Sequence, residues 1–184
     1  MTATILDPKT ALVVIDLQNG IVALPTVHPA GEIVARAREL LDAFRGTGLP
    51  VVLVTVAGGA PGRVEVPGGG SNRPADWSTL IPDLDQQPTD HTVVKHTWGA
   101  FTGTDLDKYL RGAGVTQIVL AGIATSLGVE STARAAHEHG YNVTLAVDAM
   151  TDVNLGAHTN AVMHIFPRLG ETASTQEIIG LLSQ

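Results

Sequence analysis

Three short stretches of this chain are apolar or nearly so without alternating, Ala11–Ile15, Pro50–Val56 and Gln117–Leu120, and Tyr141–Val147 reads as a fifth strand. A strand with one wet face alternates apolar and polar residues, whereas an unbroken run suits a strand covered on both faces. Between the runs lie helical patterns. Ile33, Val34, Ala37, Leu40, Leu41 and Phe44 follow helical spacing from about Ala30 to Arg45, and Gly46 and Gly48 end that helix. Thr92–Lys95 predicts a short third strand. A helix over Asp105–Arg111, capped by Thr104 or Asp105, follows it. Asp76–Leu80 suggests a turn of helix, and Leu155–Ile165 a longer helix. Pro167–Glu171 predicts a short edge strand, and a terminal helix capped by Ser174 or Thr175 runs to Leu182. Strand and helix alternating throughout define one α/β domain over 1–184, a mostly parallel sheet with helices on both faces. Right-handed crossovers restrict the topology further.

The run at Gln117 leads into the most informative stretch, QIVLAGIATSLGVEST. The strand stops at Ala121-Gly122, passes Ile123-Ala124-Thr125-Ser126 and Gly128, and becomes a small-residue helix through Ala133, Ala135 and Ala136 to His139-Gly140. Such an elbow presents backbone N–H groups at a helix start, on the carboxyl edge where open α/β sheets bind ligands. Other proteins hold a nucleophile on an elbow of this kind. Here the corresponding place is glycine.

Two further residues are expected on the same edge. Asp16 ends the first strand and Lys95 the third, and a carboxylate near an ammonium favours the ionised form of both, lowering the pKa of Asp16. Asp148 follows the fifth strand. A glycine-rich loop over 57–74, with Gly68-Gly69-Gly70, Arg63 and Arg73, has a length usual for functional or mobile loops. It lacks the Gly-Lys-Ser/Thr of a phosphate loop.

Composition closes off several classes. The net charge of −7 argues against non-specific nucleic-acid binding. The absence of cysteine excludes disulfides, thiolate metal sites and a cysteine nucleophile. The seven histidines show no metal-ligand spacing, so no metal and no cofactor are expected. No apolar run approaches a membrane span and the N-terminus does not read as a leader, which predicts a cytoplasmic protein without membrane contact. Only 16% of residues are charged and 44% are apolar, which with aliphatic-rich helices points to a homo-oligomer, a dimer or higher.

Taken in order, these residues resemble the isochorismatase-like (cysteine hydrolase) superfamily. The resemblance rests on Val13-Val-Ile-Asp16-Leu-Gln-Asn19, on Lys95 with Ala100-Phe101-Thr-Gly-Thr-Asp-Leu106, and on Gly122-Ile-Ala-Thr125 with Val129-Glu-Ser-Thr-Ala133. Asp148-Ala149 and Ala157-His158 fit as well, so the likeness covers nearly the whole chain. It implies a three-layer, Rossmann-like fold with a six-stranded sheet, an Asp–Lys–Cys site and a cis peptide at Ile123–Ala124. That arrangement would aim the N–H groups of Ala124 and Gly128 at one point, an oxyanion hole. Gly128 falls on the position of the nucleophilic cysteine, as glycine does in isochorismatases proper, which use the Asp as a general acid on a vinyl ether. The Asp-x-His metal motif of nicotinamidases is missing after Val56, and Ala-Thr-Ser departs from the isochorismatase Tyr-Ala-His pattern.

The expected function is therefore hydrolysis of a small molecule without a covalent cysteine intermediate. Asp16 and Lys95 would carry the acid–base chemistry and Gly128 would serve through its backbone. Ile123, Ala124, Thr125 and Ser126 would form the oxyanion and substrate wall, joined by Gln18, Trp98 and Phe101. Thr125 or Ser126 as nucleophile is a weaker reading, because no histidine is placed by sequence to activate a hydroxyl. The competing expectation is a family member that binds a small metabolite without turning it over.

Overall fold

The computed structural model describes residues 3–66 and 73–183. In chain order the elements are β1 (Thr10–Ile15), α1 (Asn19–Val22), α2 (Ala30–Gly46), β2 (Val51–Val56), a 3-10 turn (Pro82–Leu84), β3 (His91–Lys95), α3 (Leu106–Gly112) and β4 (Gln117–Ile123). A π-type turn (Thr125–Val129) then opens α4 (Glu130–Glu138). It is followed by β5 (Asn142–Thr151), α5 (Leu155–Asn160), a second π-type turn (Ala161–Ile165), α6 (Phe166–Leu169), β6 (Glu171–Ala173) and α7 (Thr175–Leu182). The six strands form one sheet in the order β3-β2-β1-β4-β5-β6, and every pairing is parallel.

The unbroken apolar runs are explained by what covers each face. Along β1, Ala11, Val13 and Ile15 join a core with Leu106 and Leu110 of α3 and with Ala133 and Ala136 of α4. Leu12 and Val14 point the other way, into a core with Ile33, Ala37, Leu40, Leu41 and Phe44 of α2 and Ile178 of α7. Alternate residues thus enter opposite layers, and both layers are dry. Each fully buried aliphatic side chain stabilises the fold by about 1.5–3 kcal/mol relative to exposure. Ser174 caps α7 through a capping box with Glu177.

Four expectations are corrected. β4 runs on to Ile123, and β5 runs on to Thr151, because a register shift between Leu120 and Gly122 lets β5 bulge and then resume pairing. Asp148 lies in that bulge, where its carboxylate accepts from the N–H and hydroxyl of Thr175, so it ties down α7. Pro167 does not begin a strand. It stands in the first turn of α6, where a missing N–H costs nothing, and the edge strand starts only at Glu171. Asp76–Leu80 forms turns rather than a helix, with Leu80 bridged to Gln18. At α3, Asp105 occupies the cap position but makes no side-chain cap bond, and of the two expected caps it is the Thr104 hydroxyl that accepts from Leu106 N–H. Gly68-Gly69-Gly70 lie outside the described residues. Among the described residues no helix is long and apolar enough to cross a membrane.

Candidate active site

Asp16 is the first residue past β1, and its φ of 55° places it in the left-handed region that aspartate tolerates better than most residues. Its N–H donates to Val54 O and its carbonyl accepts from Gln18 N–H, so the turn is tied on both sides. Lys95 ends β3, two strands away, with β2 between them. At about 4.8 Å per strand the gap is about 10 Å, which a lysine stem and an aspartate together close. Lys95 Nζ donates to Asp16 Oδ2 at 2.7 Å, and Lys95 is 1% exposed. Nζ also reaches Thr97 O at 3.4 Å.

The other oxygen of the pair decides its chemistry. Asp16 Oδ1 is buried and has no hydrogen-bond partner among the described residues. A buried carboxylate oxygen without a donor is costly unless a ligand or proton completes it. The pKa of Asp16 is accordingly raised from 3.8 to about 6: burial raises it, and the charge and hydrogen bond of Lys95 pull it back only in part. The expectation of a lowered pKa is thus reversed, because desolvation outweighs the ion pair.

The elbow closes the site. Gly122, at φ 121°, passes so near β1 that a Cβ there would meet Ile15 O at 2.0 Å, which only glycine permits. The Ile123–Ala124 peptide is cis. Gly128 is not among the residues with positive φ, so its backbone is open to any residue type, and its missing side chain leaves space. A Cβ on Gly128 would stand 2.9 Å from Ile15 Cγ2, 3.2 Å from Asp16 Oδ2 and 3.6 Å from Lys95 Nζ. A side chain at 128 therefore points straight at the Asp16–Lys95 pair.

The remaining expected residues divide. Gln18 is fully buried and its amide is used within the protein. Nε2 donates to Val56 O and Trp77 O, and Oε1 accepts from Val56 N–H. It therefore braces the edge beside Asp16. Phe101 packs into the α3 side of the core, its ring 5.2 Å from that of His139 and 6.0 Å from that of Tyr141. Trp98 is 61% exposed on the segment after β3. Thr125 and Ser126 do have partners: Thr125 Oγ1 lies 2.9 Å from His158 Nδ1, and both the N–H and the hydroxyl of Ser126 donate to Asp152 Oδ2 at 2.8 Å. A histidine does reach a hydroxyl, contrary to expectation. However, Thr125 is wholly buried, so the contact acts as a tie between the elbow and α5.

Three residues at the elbow escaped the sequence reading. The hydroxyl of Thr132 donates to Gly128 O at 2.6 Å and accepts from Ala100 N–H, joining the elbow to the chain beyond Lys95. Asp152 anchors Ser126, and His158 anchors Thr125 while its ring meets that of His28 edge-on at 4.8 Å. The His158 pKa is lowered, first by burial and then by His28, with Asp152 opposing. Thr132 and His158 lie inside stretches that carry the family resemblance, whereas Asp152 had no local signal. Among the described residues no cluster of three or more His, Cys, Asp or Glu could hold a metal.

A six-stranded parallel sheet with an Asp–Lys pair and a strand-to-helix elbow on its carboxyl edge defines a class of α/β proteins, and sequence comparison places the chain within it. Residues 10–177 match the isochorismatase domain model, and this chain belongs to the isochorismatase family. It is 43% identical over 178 residues to YwoC of Bacillus subtilis, an uncharacterized isochorismatase family protein, covering 93% of either chain. An isochorismatase family protein from Burkholderia thailandensis superposes with a TM-score of 0.94 at 46% identity over 98% of both chains. N-carbamoylsarcosine amidase from Thermoplasma acidophilum superposes with a TM-score of 0.75 at 28% identity, over 91% of this chain and 96% of that one.

Proposed function

We propose that this chain hydrolyses a small amide-like molecule by activating water directly, without a covalent enzyme intermediate. The observation that carries the reading is the buried Asp16–Lys95 pair with its unpartnered Oδ1 and the space beside Gly128 aimed at it. In this reading Gly128 stands where the family's nucleophilic cysteine is expected, and the chain has no thiol to replace it. A water beside Gly128 would give a proton to ionised Asp16 while its oxygen adds to the substrate carbonyl. The N–H groups of Ala124 and Gly128 would take the developing negative charge, and the proton would pass on to the leaving nitrogen as the C–N bond breaks. Lys95 would hold Asp16 in place and keep it ionised at neutral pH. That a family relative of similar fold is an amidase supports the bond class.

A panel of amides, esters and vinyl ethers tests this. The expected result is turnover of at least one amide, insensitive to thiol reagents and lost in Asp16→Asn. No turnover in any class, together with tight binding of a metabolite, would establish instead a binding protein on a catalytic fold. A covalent adduct on Thr125 or Ser126 would move the nucleophile into the elbow. We further propose that the chain acts in the cytoplasm as a homo-oligomer, which light scattering at micromolar concentration would refute by reporting a monomer.

A further inference from the structure

Asp152 bears on what the site accepts. It is 2% exposed, and its carboxylate takes three donors: Ser126 N–H and Ser126 Oγ at Oδ2, both at 2.8 Å, and Asn154 N–H at Oδ1, at 3.1 Å. Its own carbonyl accepts from Val27 N–H. Ser126 sits in the first turn of the helical run that starts at Thr125 and continues through α4, two residues before Gly128. The N-terminus of such a run attracts anions through its unpaired N–H groups and its dipole. Here a fixed carboxylate of the protein already fills that place, so a second anion arriving at the elbow meets like charge in a water-poor setting, where repulsion is least screened.

Against that charge the elbow sets the N–H dipoles of Ala124 and Gly128, and Lys95 and Arg73 are engaged elsewhere. The ammonium of Lys95 is engaged by Asp16. The Thr125 tie is made by His158, whose lowered pKa keeps it neutral at physiological pH. Arg73, in the loop between β2 and β3, lies with its guanidinium over the Trp77 ring at 3.9 Å. We infer that Asp152 is a specificity determinant: by occupying the elbow's helix N-terminus it restricts the site to substrates that are neutral or cationic at the reacting end, and turns away carboxylates. This rests on the hydrolytic reading given above and narrows it. It also gives the reaction a direction, since hydrolysing a neutral amide leaves a carboxylate product that the same charge expels.

Matched pairs test the inference without a known substrate. Acetamide with acetate, and benzamide with benzoate, are nearly isosteric and differ in charge. Their binding is followed through the backbone amide resonances of Ser126 and Gly128, above about pH 7, where both acids and Asp16 are ionised. In wild type the amide of each pair is expected to bind at least about tenfold more tightly than the acid. In Asp152→Asn, which keeps an acceptor for Ser126, that gap is expected to shrink several-fold through gain of acid binding. Equal or tighter binding of the acids by wild type overturns the inference, as does failure of the amides to perturb either resonance. An unchanged gap in folded Asp152→Asn overturns the role of Asp152 itself. Amide binding without turnover would sink the hydrolytic reading and leave this one standing, so the two fail separately.

Discussion

The two edges of the sheet treat their buried polar groups in opposite ways. At the amino edge Gln117, 3% exposed, is fully used. Its Oε1 accepts from Asp7 N–H and Thr10 Oγ1, and its Nε2 donates to Ile5 O and Thr144 Oγ1. A groove of about 460 Å³ opens beside it, lined in part by Asp7, Tyr141 and Arg168. At the carboxyl edge the buried group is charged, sits at positive φ and keeps one oxygen without a partner. Neutral groups satisfied within the protein hold the chain together and leave little for a ligand. A desolvated, half-satisfied charge costs stability and is available for chemistry. The concavity at the amino edge is therefore the weaker candidate site, although it is large.

The largest expected effect is at the carboxyl edge. Asp16→Asn removes the proton acceptor and should lower turnover by about 10²–10⁴-fold. It should also leave the Lys95 ammonium buried without its counter-charge, so thermal unfolding is expected to shift down as well. Steady-state rates and a melting curve check both. A variant that turns over normally would break the comparison at its strongest point.

The pH dependence sharpens it. With Asp16 titrating at about 6 and acting as a base, kcat/KM should rise about tenfold per pH unit up to about pH 6 and then level. The opposite slope would assign Asp16 as an acid, the role suited to vinyl ether cleavage. Stability runs the other way. The folded protein keeps the Asp16 proton up to about pH 6, whereas the unfolded chain loses it near 3.8. Between those values the folded state binds more protons, so the contribution of Asp16 to stability falls as pH rises across the window. Urea unfolding at several pH values should show this slope in wild type and lose it in Asp16→Asn.

The amino edge should answer to stability alone. Gln117→Leu strips partners from Thr144, Thr10 and the Asp7 N–H, and should cost about 1–3 kcal/mol with kcat and KM unchanged. A fall in kcat without a fall in stability would show that the edges are coupled.

What the sequence disclosed follows the same division. β1 and β2 are apolar on both faces because α2 lies on one side and α3 with α4 on the other, so their runs were visible directly. Asp16 was visible because it ends an unbroken apolar run, and Lys95 because it ends the third strand as Asp16 ends the first. The contacts that fix the elbow were not visible. Ser126 meets Asp152 and Thr125 meets His158 across 26 and 33 residues, through hydrogen bonds that leave no periodic trace. The sign of the Asp16 shift was hidden for a related reason. The partner lysine can be read from sequence, but the depth of burial that outweighs it depends on how the layers pack.

Gly128→Ala is the finest test, with the smallest effect. Because the backbone at 128 does not need glycine, the substitution adds only a methyl, 2.9 Å from Ile15 Cγ2 and 3.2 Å from Asp16 Oδ2. Crowding of this kind costs about 1–3 kcal/mol, offset by up to about 1 kcal/mol from the better helix propensity of alanine, so the fold should survive with a modest loss. Two functional changes should accompany it. The methyl takes the space proposed for water, so turnover should slow. It also removes solvent from Oδ2, and further desolvation raises a carboxyl pKa, so the rising limb of kcat/KM should move above about pH 6. If Gly128 were only a turn residue, stability would change and the limb would stay where it is. A limb that moves while the melting temperature holds would show that the absent side chain at 128 sets the chemistry of this edge.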